Sequence, residues 1–276
     1  MKSYLKNELH RIFTGTSFKL SLGIGLLISI VHYLFNVLKV YPCASAISKS
    51  IIEGYLPSVF NQWIGTTLST VESYLFFLII PVLATIPFGG DFFEEIQTGF
   101  ARNVLLNTKC KLRYFMVKFL VSFVSGGISV IIPLITNLAL TSATIPALRP
   151  IASTNYFSIF ATSMWAELYY SHPWIYTAFY LSIIFVFSGL FAQISLWIVF
   201  YVSNRIVVIF TPLIVYTLIY SFCVTIGCPE FSPLNFLPPQ QIVYDISFKI
   251  ILIEIILLFL VNLIMFVYKG CKNDFF

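Results

Sequence analysis

Six apolar runs, each long enough to cross a bilayer, fill most of this chain of 276 residues. They cover residues 18–38, 71–88, 115–140, 176–202, 206–226 and 248–268. A helix rises about 1.5 Å per residue, so roughly 20 residues cover a hydrocarbon core of about 30 Å. Soluble chains of this length do not carry six such runs. Only 10% of the residues are charged, against about 25% in a typical soluble chain. The pattern predicts an all-α membrane protein with one transmembrane domain, since there are no long Ser/Gly/Pro linkers and no clear internal repeats. The first run starts too far in, and is too long, for a typical cleaved signal peptide.

The net charge of +5 does not point to nucleic acid, because the basic residues are spread along the chain. They follow the spans instead. With a cytoplasmic N-terminus, twelve of the sixteen Lys and Arg residues fall in inner segments and four in outer ones. The positive-inside rule therefore predicts a multi-pass plasma-membrane protein with both termini in the cytosol. Segments 39–70, 141–175 and 227–247 become outer loops. The second is rich in aromatics, among them Trp165, Tyr169, Tyr170 and Trp174. Two arrangements suit such loops: short helices on or in the outer leaflet, or chain packed onto the helix ends.

Residues 1–16 place Tyr4, Leu5, Leu9, Ile12 and Phe13 near one helical stripe, with Lys2, Lys6 and Arg11 elsewhere. This predicts an amphipathic interfacial helix, with Thr16 or Ser17 capping the first span.

The one sizeable cytoplasmic loop is 89–114. Asp91 followed by Glu94 forms the Asp version of a capping box, Glu95 adds charge at the helix start, and Gly99 suits a C-terminal stop. A separate short helix over 92–98 is expected. Phe92, Phe93 and Ile96 are too apolar to face only water, so membrane, protein body or a partner must cover them.

The stretch EIQTGFARNVLL, from Glu95 to Leu106, resembles the loop of ABC-2 type transporter permeases, whose pattern is close to ER-x-x-G-T-L-E-x-L-L. Glu95, Gly99, Leu105 and Leu106 match; the Arg after the Glu is Ile96, and the Pro that often follows the Leu pair is absent. The N-terminal helix, six spans, loop position and Lys118 at the start of span 3 suit the same family. The resemblance implies that 89–114 is a coupling element docking into a separate ATPase subunit. Glu95 and Gly99 belong to it by the match, and Arg102 lies within the matched stretch. Asp91, Phe92, Phe93, Glu94 and Ile96 join it by position and apolar character. It also implies two ATPase copies carrying ATP and Mg, a second permease subunit (a homodimer or a paired permease), and ATP-driven shifts of spans 1, 2 and 5 around a cleft. Aromatic loops and an apolar interior favour a hydrophobic or amphipathic cargo; export of a peptide antibiotic follows from the resemblance alone.

No Gly precedes a Lys, so the chain lacks a Gly-x-x-x-x-Gly-Lys phosphate loop and no cofactor is expected in it. No catalytic residue is expected: Gly99 stands where the membrane-protease pattern EExxxR needs Arg, and there is no GxSG serine elbow. His10, His32 and His172 are isolated, so no metal is expected. Glu254 sits inside span 6, either held by outer-loop groups such as Lys249 or lining a cavity or outer gate. Gln193, Asn137 and Asn262 suit interhelical hydrogen bonds. Pro81, Pro87, Pro133 and Pro212 fall inside spans. A Cys43–Cys228 bridge is open from sequence. The rival readings are a secondary transporter without ATP coupling, or an immunity or scaffold protein; mid-membrane ionisable groups, which ion-coupled carriers need, are lacking.

Overall fold

The computed structural model describes residues 2–41, 57–101, 111–150 and 159–272. Every regular element among them is helical. Helix α1 (Lys2–Thr14) leads into α2 (Thr16–His32), which continues through a π-helical turn at Tyr33–Val37. A short α3 (Val59–Gln62) and a 3-10 turn (Ile64–Thr66) precede α4 (Val71–Gln97). Then come α5 (Lys111–Thr144), α6 (Ala166–Ser171), α7 (Pro173–Ile198), α8 (Arg205–Ile226), α9 (Pro233–Phe236) and α10 (Phe248–Lys272). Among the described residues, six helices are long and apolar enough to cross a membrane, one for each apolar run. The protein is an all-α membrane protein.

Helices α4, α5 and α7 form the centre, with 56%, 56% and 67% of their most apolar stretches buried. Helix α2 is 33% buried, and α8 and α10 are 17% buried. These three lie at the flanks, with α2 against α4 and α5, α8 against α4 and α7, and α10 against α7 and α5. Small residues let the central pair approach. A Cβ on Gly126 would lie 2.5 Å from Ala192 Cβ, and one on Gly189 2.5 Å from the Phe123 ring.

Prolines explain much of how α4 is held. A proline donates no N–H, so the carbonyl four residues earlier loses its helical partner. Lipid cannot replace it. Pro81 frees Phe77 O, which accepts from Tyr216 Oη of α8 at 3.3 Å. Pro87 frees Leu83 O, which accepts from Ser21 Oγ of α2 at 2.6 Å and Ser129 Oγ of α5 at 3.1 Å. Two prolines thus bind α4 to three neighbours. The amides also bridge helices as expected. Asn137 reaches Ser29 O at 2.8 Å, Gln193 reaches Phe119 O at 3.3 Å, and Asn262 reaches Leu190 O at 2.9 Å.

At the end away from α1, here the loop end, the connecting segments interlock. Residues 57–67 are buried in the protein rather than spread on a leaflet. Ile64 N–H donates to Asn137 Oδ1 at 2.9 Å, and Tyr169 Oη to Phe60 O at 3.1 Å. Gln240 Oε1 accepts from Leu68 N–H at 2.7 Å, and Gln241 Oε1 from Met164 N–H at 2.9 Å. All three connections therefore meet in one cap; packing onto the helix ends is the arrangement adopted by the described parts.

The other end, here the basic end, departs from expectation in the second span. There is no break at Gly89-Gly90 and no separate 92–98 helix: α4 runs unbroken from Val71 to Gln97. The glycines serve packing instead. A Cβ on Gly89 would lie 2.9 Å from Ser195 Oγ, and one on Gly90 2.7 Å from Arg205 Nε. Asp91 is thus inside a helix and caps nothing. The predicted stop is present, because Gly99 has φ +72°. Neither Thr16 nor Ser17 caps α2; its N-cap is Gly15, without a side-chain cap.

Candidate functional site

The basic end holds a buried ionic cluster built from three helices. α1 brings Glu8 and Arg11, α4 brings Glu95, and α5 brings Tyr114 and Lys118. Lys118 is fully buried, and the Glu8 and Glu95 side chains are each 8% exposed. Lys118 Nζ stands 2.8 Å from Glu8 Oε2 and 2.7 Å from Glu95 Oε2. Arg11 pairs with Glu8 at 3.0 Å and also binds Glu95 directly. Tyr114 Oη donates to Glu95 Oε2 at 3.3 Å. The Lys118 ammonium lies 5.6 Å from the Phe88 ring and 5.4 Å from that of Tyr114, close enough for cation–π attraction. Two carboxylates face two cations, so the cluster is neutral as a whole. That balance is what lets it sit out of water.

Tyr4 closes the cluster, its ring stacked 6.4 Å from that of Tyr114. Burial, with Glu8 and Glu95 nearby, holds its hydroxyl well above the ordinary tyrosine range, so it stays a neutral donor. The N-terminal stripe is therefore turned to the protein: Ile12 is 1% exposed, and Tyr4, Leu5, Leu9 and Phe13 are packed against the same core. α1 is amphipathic as predicted, but its apolar face covers the helix ends.

The predicted docking residues divide. Phe92 (0% exposed) and Phe93 (8%) are core, which corrects their reading as apolar groups awaiting a partner. The protein body covers them. The Phe92 ring lies 5.7 Å from Phe88 and 6.0 Å from Phe266. Glu95 is buried in the ionic cluster. Asp91 accepts from Ser17 Oγ at 2.8 Å and lies 3.9 Å from Arg205 NH2. Glu94 is exposed and pairs with Arg205. Ile96 is half-buried. The surface left at this tip is Glu94, Gln97, Thr98 and Phe100, the last 48% exposed. Arg102 lies outside the described residues, with the rest of 102–110.

Glu254 lies on α10, half-buried. Neither Lys249 nor Asp245 pairs with it among the described residues. Asp245 precedes the helix with φ +65°. His32 is buried, with Nε2 2.8 Å from Thr67 Oγ1 and Nδ1 3.2 Å from Asn137 Nδ2. No group of three His, Cys, Asp or Glu among the described residues is placed to hold a metal. A cavity of about 250 Å3 opens at the loop end between α4, α8 and the 227–247 connection, lined by Tyr74, Phe77, Tyr220, Val224 and Pro238 among others.

Glu8 and Tyr114 were not singled out in the sequence, because the partners that draw them into the cluster, Lys118 and Glu95, stand 110 and 19 positions away. No family model, curated protein or solved structure matches the chain.

Proposed function

We propose that this chain is the membrane-spanning permease subunit of an ABC-2 type transporter, exporting a hydrophobic or amphipathic cargo with ATP hydrolysed by a separate ATPase. The observation that carries this reading is the ionic cluster. It joins α1 and α5 to Glu95, just before the chain leaves α4 at Gly99. A force applied at the exposed tip would then reach three helices at once, not one loop. The basic end faces the cytosol in this reading, in keeping with the distribution of Lys and Arg. The sparsely buried faces of α2, α8 and α10 suit lipid and a second permease subunit.

The docking surface differs from the sequence-based one. It comprises Glu94, Gln97, Thr98 and Phe100, while Phe92 and Phe93 support it from inside. The test is purification in mild detergent, with the ATPase subunit sought in the complex. Phe100→Asp removes an apolar contact worth about 1.5–3 kcal/mol when covered. It weakens association by roughly 10- to 100-fold at 1.4 kcal/mol per decade. The melting temperature of the permease alone stays unchanged. If no ATPase associates with the wild-type chain, the transporter reading fails.

A further inference from the structure

Helix α8 ends at the loop end in a turn whose hydrogen bonds identify it. Cys228 N–H donates to Cys223 O at 3.0 Å, and Gly227 N–H donates to Val224 O at 3.2 Å. Gly227 between them has φ +83°, a conformation open to glycine. This nested pair of bonds around a left-handed residue is a Schellman motif. In that motif the side chains at its two ends, here those of Cys223 and Cys228, often meet. The six-to-one bond also fixes their backbones close to each other. A disulfide needs both conditions, near backbones and converging side chains.

Two further observations bear on the pair. Both thiols are free and partly exposed, so neither is sealed from a reagent. The turn is part of the cavity wall: Tyr220 and Val224 before it, and Pro229 after it, line the 250 Å3 space.

We propose that Cys223 and Cys228 are a redox modification site that closes to an intramolecular disulfide across the end of α8. The two thiols lose two protons and two electrons as the S–S bond forms. A disulfide oxidant, either a small-molecule disulfide or an oxidoreductase, accepts them and leaves as two thiols. The bond staples the cavity wall to the end of α8, and a dithiol reductant releases it. In the cell the site also needs the loop end to face an oxidising compartment, which rests on the orientation given above. The chemistry in purified protein does not.

The experiment uses full-length protein in detergent with Cys43, Cys110 and Cys271 changed to Ser. Maleimide uptake and intact mass are read after equilibration with oxidised and then reduced glutathione. Oxidation takes maleimide uptake from two per chain to none, with the loss of two hydrogens and no crosslinked dimer; reduction restores it. A shifted control, Cys223→Ser with Val224→Cys, moves one thiol about 100° around the helix. It keeps both thiols under the same oxidant. The proposal is overturned if both thiols of the unshifted pair persist, or if they join only between chains. It is equally overturned if the shifted pair closes as readily, or if peptide mapping of the five-cysteine chain finds Cys228 joined to Cys43.

Discussion

Glu95 and Lys118 show how much one residue can carry at the basic end. Lys118 pairs with two buried carboxylates at once. Removing one partner of a buried ion pair leaves uncompensated charge and costs about 3–5 kcal/mol. Lys118→Met should therefore lower stability by that order, read as a fall in melting temperature in detergent. Adding Glu95→Gln should recover part of the loss, because Glu8 and Arg11 remain as a matched pair. A single variant that melts with the wild type would show that water already reaches the cluster. Glu95 was visible in the sequence as part of a motif, and Lys118 as a basic residue at the start of a span. Their contact was not visible, because the two stand 23 positions apart on different helices, and the other carboxylate on Lys118, Glu8, stands 110 positions from it. No local periodicity reports a pairing of that length.

Among the elements, α4 holds the structure together, and its prolines give a sharp test. Tyr216→Phe removes the donor to the carbonyl that Pro81 frees. A buried acceptor left unmet costs about 1–3 kcal/mol. Pro81→Ala supplies an N–H of its own, so Tyr216→Phe should be far less harmful in that background. A double-mutant cycle on thermal unfolding measures the difference. Additive effects would mean the hydroxyl does not serve the freed carbonyl. The six spans and α1 were legible because their apolar periodicity is local. The junction after the second span was not. Gly-Gly followed by Asp reads as a stop and a cap, yet here the glycines admit Ser195 and Arg205, and the helix continues. Tertiary contact overrode a local rule, and two phenylalanines expected on a surface became core. Phe92→Ala with Phe93→Ala should consequently lower thermal stability, at about 3–5 kcal/mol per fully buried ring, before it changes any association.

For the whole molecule, orientation ties the ends to their proposed roles. The cluster and the exposed tip can meet a cytosolic ATPase only if the basic end is inside, and the cysteine pair meets oxidant most readily if the loop end is outside. The same split of Lys and Arg predicts both. Exposed positions at each end give a direct reading. Tyr244 (63% exposed) lies at the loop end, and Gln97 lies at the exposed tip of α4. Each is changed to Cys in a chain whose five native cysteines are Ser. In intact cells a membrane-impermeant maleimide should label Tyr244→Cys and leave Gln97→Cys unlabelled until the cells are opened. Labelling of Gln97→Cys in intact cells would invert the topology. The permease reading would then fall, because a tip outside the cell has no ATP-hydrolysing partner to meet. The stability predictions for Lys118 and Tyr216 would stand, since buried charges and freed carbonyls depend on the packing of helices and not on which face of the membrane they meet.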